Sequence, residues 1–346
     1  MYIYKFLSLL LIMNKNKYLK YKTKYKSLKS RLQDENMDGG AITKQAIITN
    51  DNVQLTPKVS HSERFIEFDF PEISISSVEY PQGPTGCTYI RFNTNNVSYY
   101  VDSRGGSVMT YASNLSRSNN RAIRGICFAG GSFLGLEAVS GCVIEELKNT
   151  DYVCMSKCIV TGASLRSGNM NFNNIYPDKN LGRFAVQNAI ENKIYLGQVG
   201  AGCMAGDGKY GQGAAFHNYN GVKIFVFTAV NALGSIYNSK GELLRDRKSI
   251  PVNVNVLDPK ADKNTTLTAV ITDLSLNVIE LEQLAIQCHT NMASIIRPFH
   301  TIGDGDVLFG ITLGKVNRET ITNFNIRDFY NVCSKITNEA ILSCYD

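Results

Sequence analysis

Short runs of alternating apolar and polar residues dominate the chain from Phe65 onward. FIEFDF, CTYIRFN and VSYYVD set apolar side chains at the two-residue period of a half-buried β-strand, and RGGS (Arg104 to Ser107) after them reads as a turn. ICFAGGSFLGLEAVSGCVIEELKN predicts an apolar strand, a Gly-Gly break, then a helix with Leu136, Val139, Val143 and Leu147 on one side. KIYLGQVGAGCMAGDGKYGQGAAF predicts a strand entering a long glycine-rich loop. VKIFVFTAVNALG predicts a strongly apolar strand ending at Asn231, LTAVITD another, and DVLFGITLG the last. VIELEQLAIQCHTNMASIIRPF predicts an amphipathic helix stopped by Pro298. Strands outnumber helices, and the helices are long and one-faced. That is the pattern of an α/β chain whose sheets are covered by helices.

One of these strands starts oddly. In ADKNTTLTAVITD the approach is polar, and the strand opens on Asn264, Thr265 and Thr266 where a buried strand would more usually open on Val or Ile. A threonine hydroxyl is a weak nucleophile until a neighbouring base takes its proton. If the bond before Thr265 were cut, the new α-amine would sit on the same residue, with a reference pKa of roughly 7.7–8.0, and could serve as that base. The precursor could make the cut itself, by attack of the hydroxyl on the preceding carbonyl. HTIGDGDVLFG offers charged groups for such a site: Asp304 and Asp306 flank a glycine before an apolar strand and share a face if the segment is extended. Asp-Gly is equally ordinary turn chemistry.

Other chemistry finds less support. GKY at 208–210 lacks the Ser or Thr of a phosphate-binding loop, and Cys203 stands where its first glycine belongs. Gly200, Gly202 and Ala205 fit a loose dinucleotide fingerprint, but no helix follows to receive a pyrophosphate. His61, His217, His289 and His300 are not spaced as metal ligands, and His289, on its amphipathic helix, reads as a packed or half-exposed residue. No metal or organic cofactor is expected. Nine cysteines, odd in number and without paired spacing apart from Cys154 and Cys158, suit reduced thiols in a cytoplasmic, reducing compartment.

The net charge of +6 suggests a nucleic-acid partner until it is located. Residues 1–44 carry ten Lys or Arg against three acids, a surplus of seven, so the remaining 302 residues carry a net −1. The body, 45–346, therefore gives no electrostatic reason to bind nucleic acid. Residues 1–44 read as a basic helical leader and linker, with Tyr18, Tyr21, Tyr25, Leu28 and Leu32 on one stripe; docking, oligomerisation and plain solvation are its alternative uses. Its Lys/Tyr-rich pattern is similar to leaders of many giant-virus proteins. The apolar run MYIYKFLSLLLIM is shorter than the ~20 residues of a membrane span, and no small-residue cleavage site follows it, so neither a span nor secretion is expected. Met13 is an alternative start.

Seven segments in order carry a resemblance: GCTYIRF, VDSRGGS, ICFAGGSFLGLEAVSG, VGAGCMAGDGK, TAVNALG, NTTLTAVITD and IRPFHTIGDGDVLFG, across roughly residues 70–315. Together they resemble the L-aminopeptidase/D-esterase family of self-processing hydrolases, which includes β-peptidyl aminopeptidases and nylon-oligomer hydrolases. The resemblance implies a layered sandwich of two β-sheets flanked by helices (αββα-like). It also implies autocatalytic cleavage between Asn264 and Thr265 into 1–264 and 265–346, and assembly as a homo-oligomer, a tetramer in the family. By the same resemblance Thr265 is the nucleophile, Asn231 binds the oxyanion, Lys209 lies near the nucleophile, and Asp304 and Asp306 hold the new amine. The implied activity is an aminopeptidase-like protease or amide-oligomer hydrolase acting on small peptides or amides. The alternative is a catalytically degenerate member serving as a virion, structural or interaction protein. Two segments depart from the family: GGSFLGL puts Leu134, beside Phe133, where an aromatic is usual, and GAGCMAGDGK brings in Cys203, Met204 and Asp207.

Overall fold

The computed structural model describes residues 47–95, 97–117, 123–150, 159–246 and 264–345. The leader over 1–44, Met13 and the pair Cys154/Cys158 lie outside the described residues. Nine described strands have six residues or more. In chain order they are β1 Ile73–Tyr80, β2 Thr85–Phe92, β3 Ser98–Ser103, β4 Ile123–Ala129, β5 Ile159–Ser164, β6 Gly211–Tyr219, β7 Val222–Asn231, β8 Thr265–Leu274 and β9 Val307–Val316. The described helices are α1 Glu137–Lys148, α2 Lys179–Gln187, α3 Val278–Met292 and α4 Ile326–Leu342.

The strands form two main sheets. The first runs β1-β2-β4-β5 through its centre, and the second runs β6-β7-β8-β9-β3. Each sheet has one parallel pair, β4 with β5 and β8 with β9. Parallel neighbours cannot be joined by a tight turn, and α1 and α3 lie in the two crossovers. The inner faces of the sheets meet in an apolar layer where Phe128 of β4 stacks on Phe227 of β7 (centroids 5.3 Å, 10° between planes) and meets Phe309 of β9 edge-on at 5.6 Å. Val139 and Leu181 of α1 and α2 pack on the outer face of the first sheet with Val78 and Cys87. Leu284 of α3 and Phe329 of α4 pack on the second with Val226 and Val270. This is the αββα sandwich.

Both faces of β8 are covered, so all ten of its residues are buried. That explains its near-continuous apolar run, and makes its opening threonines more conspicuous. At the other end of the crossover α3 opens on a capping box, Asn277 accepting from Glu280 N–H while the Glu280 side chain returns to Asn277 N–H.

Two readings from the sequence change. The helix expected to run to Pro298 stops at Met292, and Ile296–Arg297 pairs instead with Ser235–Tyr237. A residue before proline is pushed toward the extended region, which suits the strand pairing and not a helix. The segment read as one long glycine-rich loop becomes regular at Gly211, where β6 begins. The strand β1, ISISSVEY, was not signalled in the sequence; Ser76 donates to the Ala185 carbonyl at 2.6 Å and Ser77 shares a hydrogen bond with Thr88 at 3.2 Å, which makes their burial tolerable. The helices α2 and α4 were not signalled either. The seven described cysteines are buried free thiols, and no helix among the described residues is long and apolar enough to cross a membrane.

The α1–α2 contact depends on two glycines: a Cβ on Gly182 would lie 1.9 Å from the Ala138 carbonyl oxygen, and one on Gly141 would lie 2.1 Å from that of Lys179. Gly182→Ala should therefore separate the helices and lower stability by about 1–3 kcal/mol, the usual cost of overpacking. A lower urea midpoint with an unchanged slope is the expected result.

Candidate active site

The start of β8 lies between two strand ends. In the antiparallel register Thr265, the first residue of β8, stands opposite Asn231, the last residue of β7. On its other side Asn264 bridges in parallel to Asp304, three residues before β9. Three chain segments therefore deliver Asn231, Asn264–Thr265 and Asp304–Asp306 to one end of the second sheet. All of it is enclosed: Asn231 is 4% exposed, Asn264 7%, and Thr265, Asp304 and Asp306 1% each.

The threonine hydroxyl donates to the carbonyl oxygen of Asn264 at 2.6 Å. The same oxygen accepts the Gly305 N–H at 2.7 Å. Two donors thus converge on one peptide carbonyl, and the group that would attack it is one of them. Attack by Oγ1 on this carbon closes a five-membered ring, and the Gly305 N–H is already in place for the charge that develops on oxygen. Gly305 is small because it must be: a Cβ there would sit 2.5 Å from Thr265 Oγ1.

The two carboxylates take different partners. Asp306 Oδ1 accepts the Thr266 N–H at 2.7 Å, which sets the charge beside the first peptide of β8, and its Oδ2 accepts the His300 N–H at 3.1 Å. Asp304 Oδ2 accepts the Thr301 N–H at 2.8 Å, within its own loop. The predicted RGGS turn braces both from behind. Arg104 and Gly105 N–H donate to the Asp306 carbonyl at 3.3 and 3.2 Å, and Ser107 N–H to the Asp304 carbonyl at 2.8 Å.

Asn231 Nδ2 donates to the Arg166 carbonyl at 3.2 Å. The next residues of that segment hold the glycine-rich loop, since Ser167 bridges to Ala205 and Gly168 N–H donates to the Met204 carbonyl at 2.7 Å. Lys209, at the far end of the loop, is exposed, and its ammonium makes no hydrogen bond or ion pair among the described residues. So four of the five residues singled out from sequence, Thr265, Asn231, Asp304 and Asp306, come together at one sheet end, and Lys209 makes no hydrogen bond or ion pair with them. Phe133 and Leu134 are 66% and 37% exposed. Reading the sequence missed the Gly305 N–H, His300 and the Arg166 carbonyl. Only Gly305 had a signal, its position between two aspartates.

In fold, the chain is like the Ntn hydrolases. It superimposes on the L-aminopeptidase D-Ala-esterase/amidase of Ochrobactrum anthropi, a variant of the Ntn hydrolase fold, with a TM-score of 0.57 at 14% identity, covering 83% of this chain and 88% of that one. It does so also on a β-aminopeptidase of a Burkholderia species, with a TM-score of 0.60 at 15% identity over 80% and 84% of the two chains. The family is settled by sequence: residues 68–344 match the model of Peptidase family S58, and the chain belongs to that family. It is 34% identical over 298 residues to the 6-aminohexanoate-oligomer endohydrolase of Agromyces sp. (strain KY5R), covering 78% of this chain and 81% of that protein. The protein is an amide-bond hydrolase.

Gly305→Ala should leave the fold intact, because the backbone there is not left-handed, while displacing the Thr265 hydroxyl. A misplacement of about 1 Å can cost on the order of 100-fold in rate. Any processing before Thr265 should slow by that factor, followed as the disappearance of intact chain on a denaturing gel after synthesis in vitro.

Proposed function

We propose that this protein is a self-processing amide hydrolase whose nucleophile is Thr265. The observation that carries this reading is the Asn264 carbonyl, held by Gly305 N–H at 2.7 Å and by the Thr265 hydroxyl at 2.6 Å. In the precursor Thr265 Oγ1 attacks that carbonyl, the C–N bond breaks, and the hydroxyl proton passes to the departing nitrogen. The resulting ester is opened by water, which leaves a carboxylate on Asn264 and a free α-amine on Thr265.

In turnover the neutral amine takes the hydroxyl proton, Oγ1 attacks the substrate carbonyl, and the amine product leaves with a proton. Water then releases the acid from Thr265. Asn231 supplies its Nδ2–H to the oxyanion, at the expense of its long bond to the Arg166 carbonyl. Asp306, already on the neighbouring peptide nitrogen, favours a positive charge on the new amine, and Asp304 fixes the loop that presents Gly305. Lys209 enters this reading through the resemblance alone. Substrates are small peptides, peptide amides or linear amide oligomers of the kind named for the Agromyces relative, and a homotetramer is the expected assembly.

Intact mass of purified wild type beside Thr265→Ala tests the first half. The expected result is two fragments meeting at Asn264–Thr265 in the wild type, a single chain in Thr265→Ala, and slower but measurable cutting in Thr265→Ser. Hydrolysis of amino-acid p-nitroanilides and 6-aminohexanoate oligomers by the cut protein tests the second half. A folded wild type that remains uncut and inactive would replace this reading with the degenerate, structural alternative.

A further inference from the structure

Behind Asp306 lies a buried chain of titratable side chains that the steps above do not use. Asp306 Oδ2 accepts the backbone N–H of His300 and stands 3.4 Å from Nδ1 of the same residue's ring. That ring meets His289 of α3 edge-on, with centroids 4.3 Å apart and planes at 78°. His289, 0% exposed, shares a hydrogen bond between its Nδ1 and Asp102 Oδ2 of β3 at 2.9 Å. Asp102 in turn accepts from Arg104 Nε at 2.7 Å. Arg104 closes the circuit, because its own N–H donates to the Asp306 carbonyl at 3.3 Å.

The chemistry of each member is set by its surroundings. Burial pulls the His289 imidazole below its ordinary value, against the hydrogen bond and charge of Asp102 that oppose it. Burial pushes Asp102 up, but the hydrogen bond and charge of His289, joined by Arg104, outweigh it and hold the carboxyl below its ordinary value. His289 turns its Nδ1 to Asp102 and its Nε2 away from it. Among the described residues that Nε2 has no hydrogen-bond partner, and neither has either ring nitrogen of His300. Ring nitrogens that are buried and unpaired in two rings in contact are costly unless their position is needed.

The backbone points the same way. His300 has φ 60°, in the left-handed region, which glycine or asparagine would occupy at less cost. The chain accepts strain here and gains a ring against the carboxylate of the site.

We propose that His300 is a positioning residue for Asp306: its backbone N–H donates to the carboxylate, its ring packs beside the carboxylate with Nδ1 3.4 Å from Oδ2 and so keeps it on the first peptide of β8, and His289, fixed by Asp102, packs against the ring. This rests on the Thr265 reading above. Facing His300 are Asp306 from the segment leading into β9, His289 from α3 with Asp102 and Arg104 behind it, and Phe299 at a centroid distance of 3.9 Å.

Two substitutions suit the left-handed backbone and separate the side chain's role from the fold. His300→Gly removes the ring; His300→Asn keeps a short polar side chain with a donor. Both are compared with wild type by thermal unfolding, by intact mass, and by kcat and KM from pH 5 to 9 on alanine p-nitroanilide and a linear 6-aminohexanoate oligomer. His300→Gly should lower kcat roughly tenfold or more, the scale typical of lost orienting contacts, with KM within about twofold. His300→Asn should recover most of kcat. Wild-type kcat in His300→Gly would overturn the proposal, as would equal losses in the two variants. A wild type that cuts neither itself nor either substrate overturns the Thr265 reading, and this one with it.

Discussion

The hydrogen bond from Gly305 N–H to the Asn264 carbonyl ties together the two parts of the molecule that make the site. It joins the approach to β9 to the residue before β8, and it does so at a place nearly closed to water, where an unpaired carbonyl would be expensive. Once that bond is made, the Thr265 hydroxyl has little freedom: it points at the same oxygen. The hairpin-like stack of RGGS on Asp304 and Asp306 exists to keep Gly305 where it is. The rest of the second sheet serves the same end, since the antiparallel partner β7 ends at Asn231 and so delivers an amide opposite the threonine.

Such a site needs a rigid frame, and the sandwich supplies it. β8 is the middle strand of five, paired on both sides and covered on both faces, so its first residue is fixed as firmly as its last. The acidic loop hangs from β9, the parallel neighbour of β8, whose position is set by α3 and its capping box. Reactive groups set on strand ends gain the precision of the sheet without being part of its ladder, and that precision is what an attack over a fraction of an ångström requires.

The circuit through His300, His289, Asp102 and Arg104 shows how far support for one carboxylate extends. It draws on a helix, an edge strand of the sheet and a turn, and it leaves ring nitrogens unpaired inside the protein. Natural chains carry few such groups. Their concentration behind Asp306, with a left-handed backbone at His300, is the local cost of holding a charge next to the start of a buried strand.

Asn-Thr-Thr at the head of an apolar strand, Asp-Gly-Asp before another and Asn at the end of a third were all legible in the sequence. Each breaks the apolar pattern of its own segment, and local pattern is what a sequence shows. Sheets covered by helices were legible for the same reason, through strand and helix periodicities, and the αββα layering was implied by the resemblance that the seven motifs carry. What no local pattern could show is which groups meet. The Gly305 N–H became a donor to Asn264 only because β8 and β9 are parallel neighbours, and a backbone group has no residue type to betray it. His289 looked like a packed histidine and is one, but its partners Asp102 and His300 are set by contacts 187 and 11 positions away. No hydrogen bond or ion pair ties Lys209 to the other four, and the glycine-rich loop that carries it makes turns of its own that composition does not fix. The sequence by itself determined which reactive side chains the chain has to offer, because reactivity belongs to residue type; the tertiary structure alone decided which of them meet and at what distance, because that arises from strand register and packing between segments far apart in the chain.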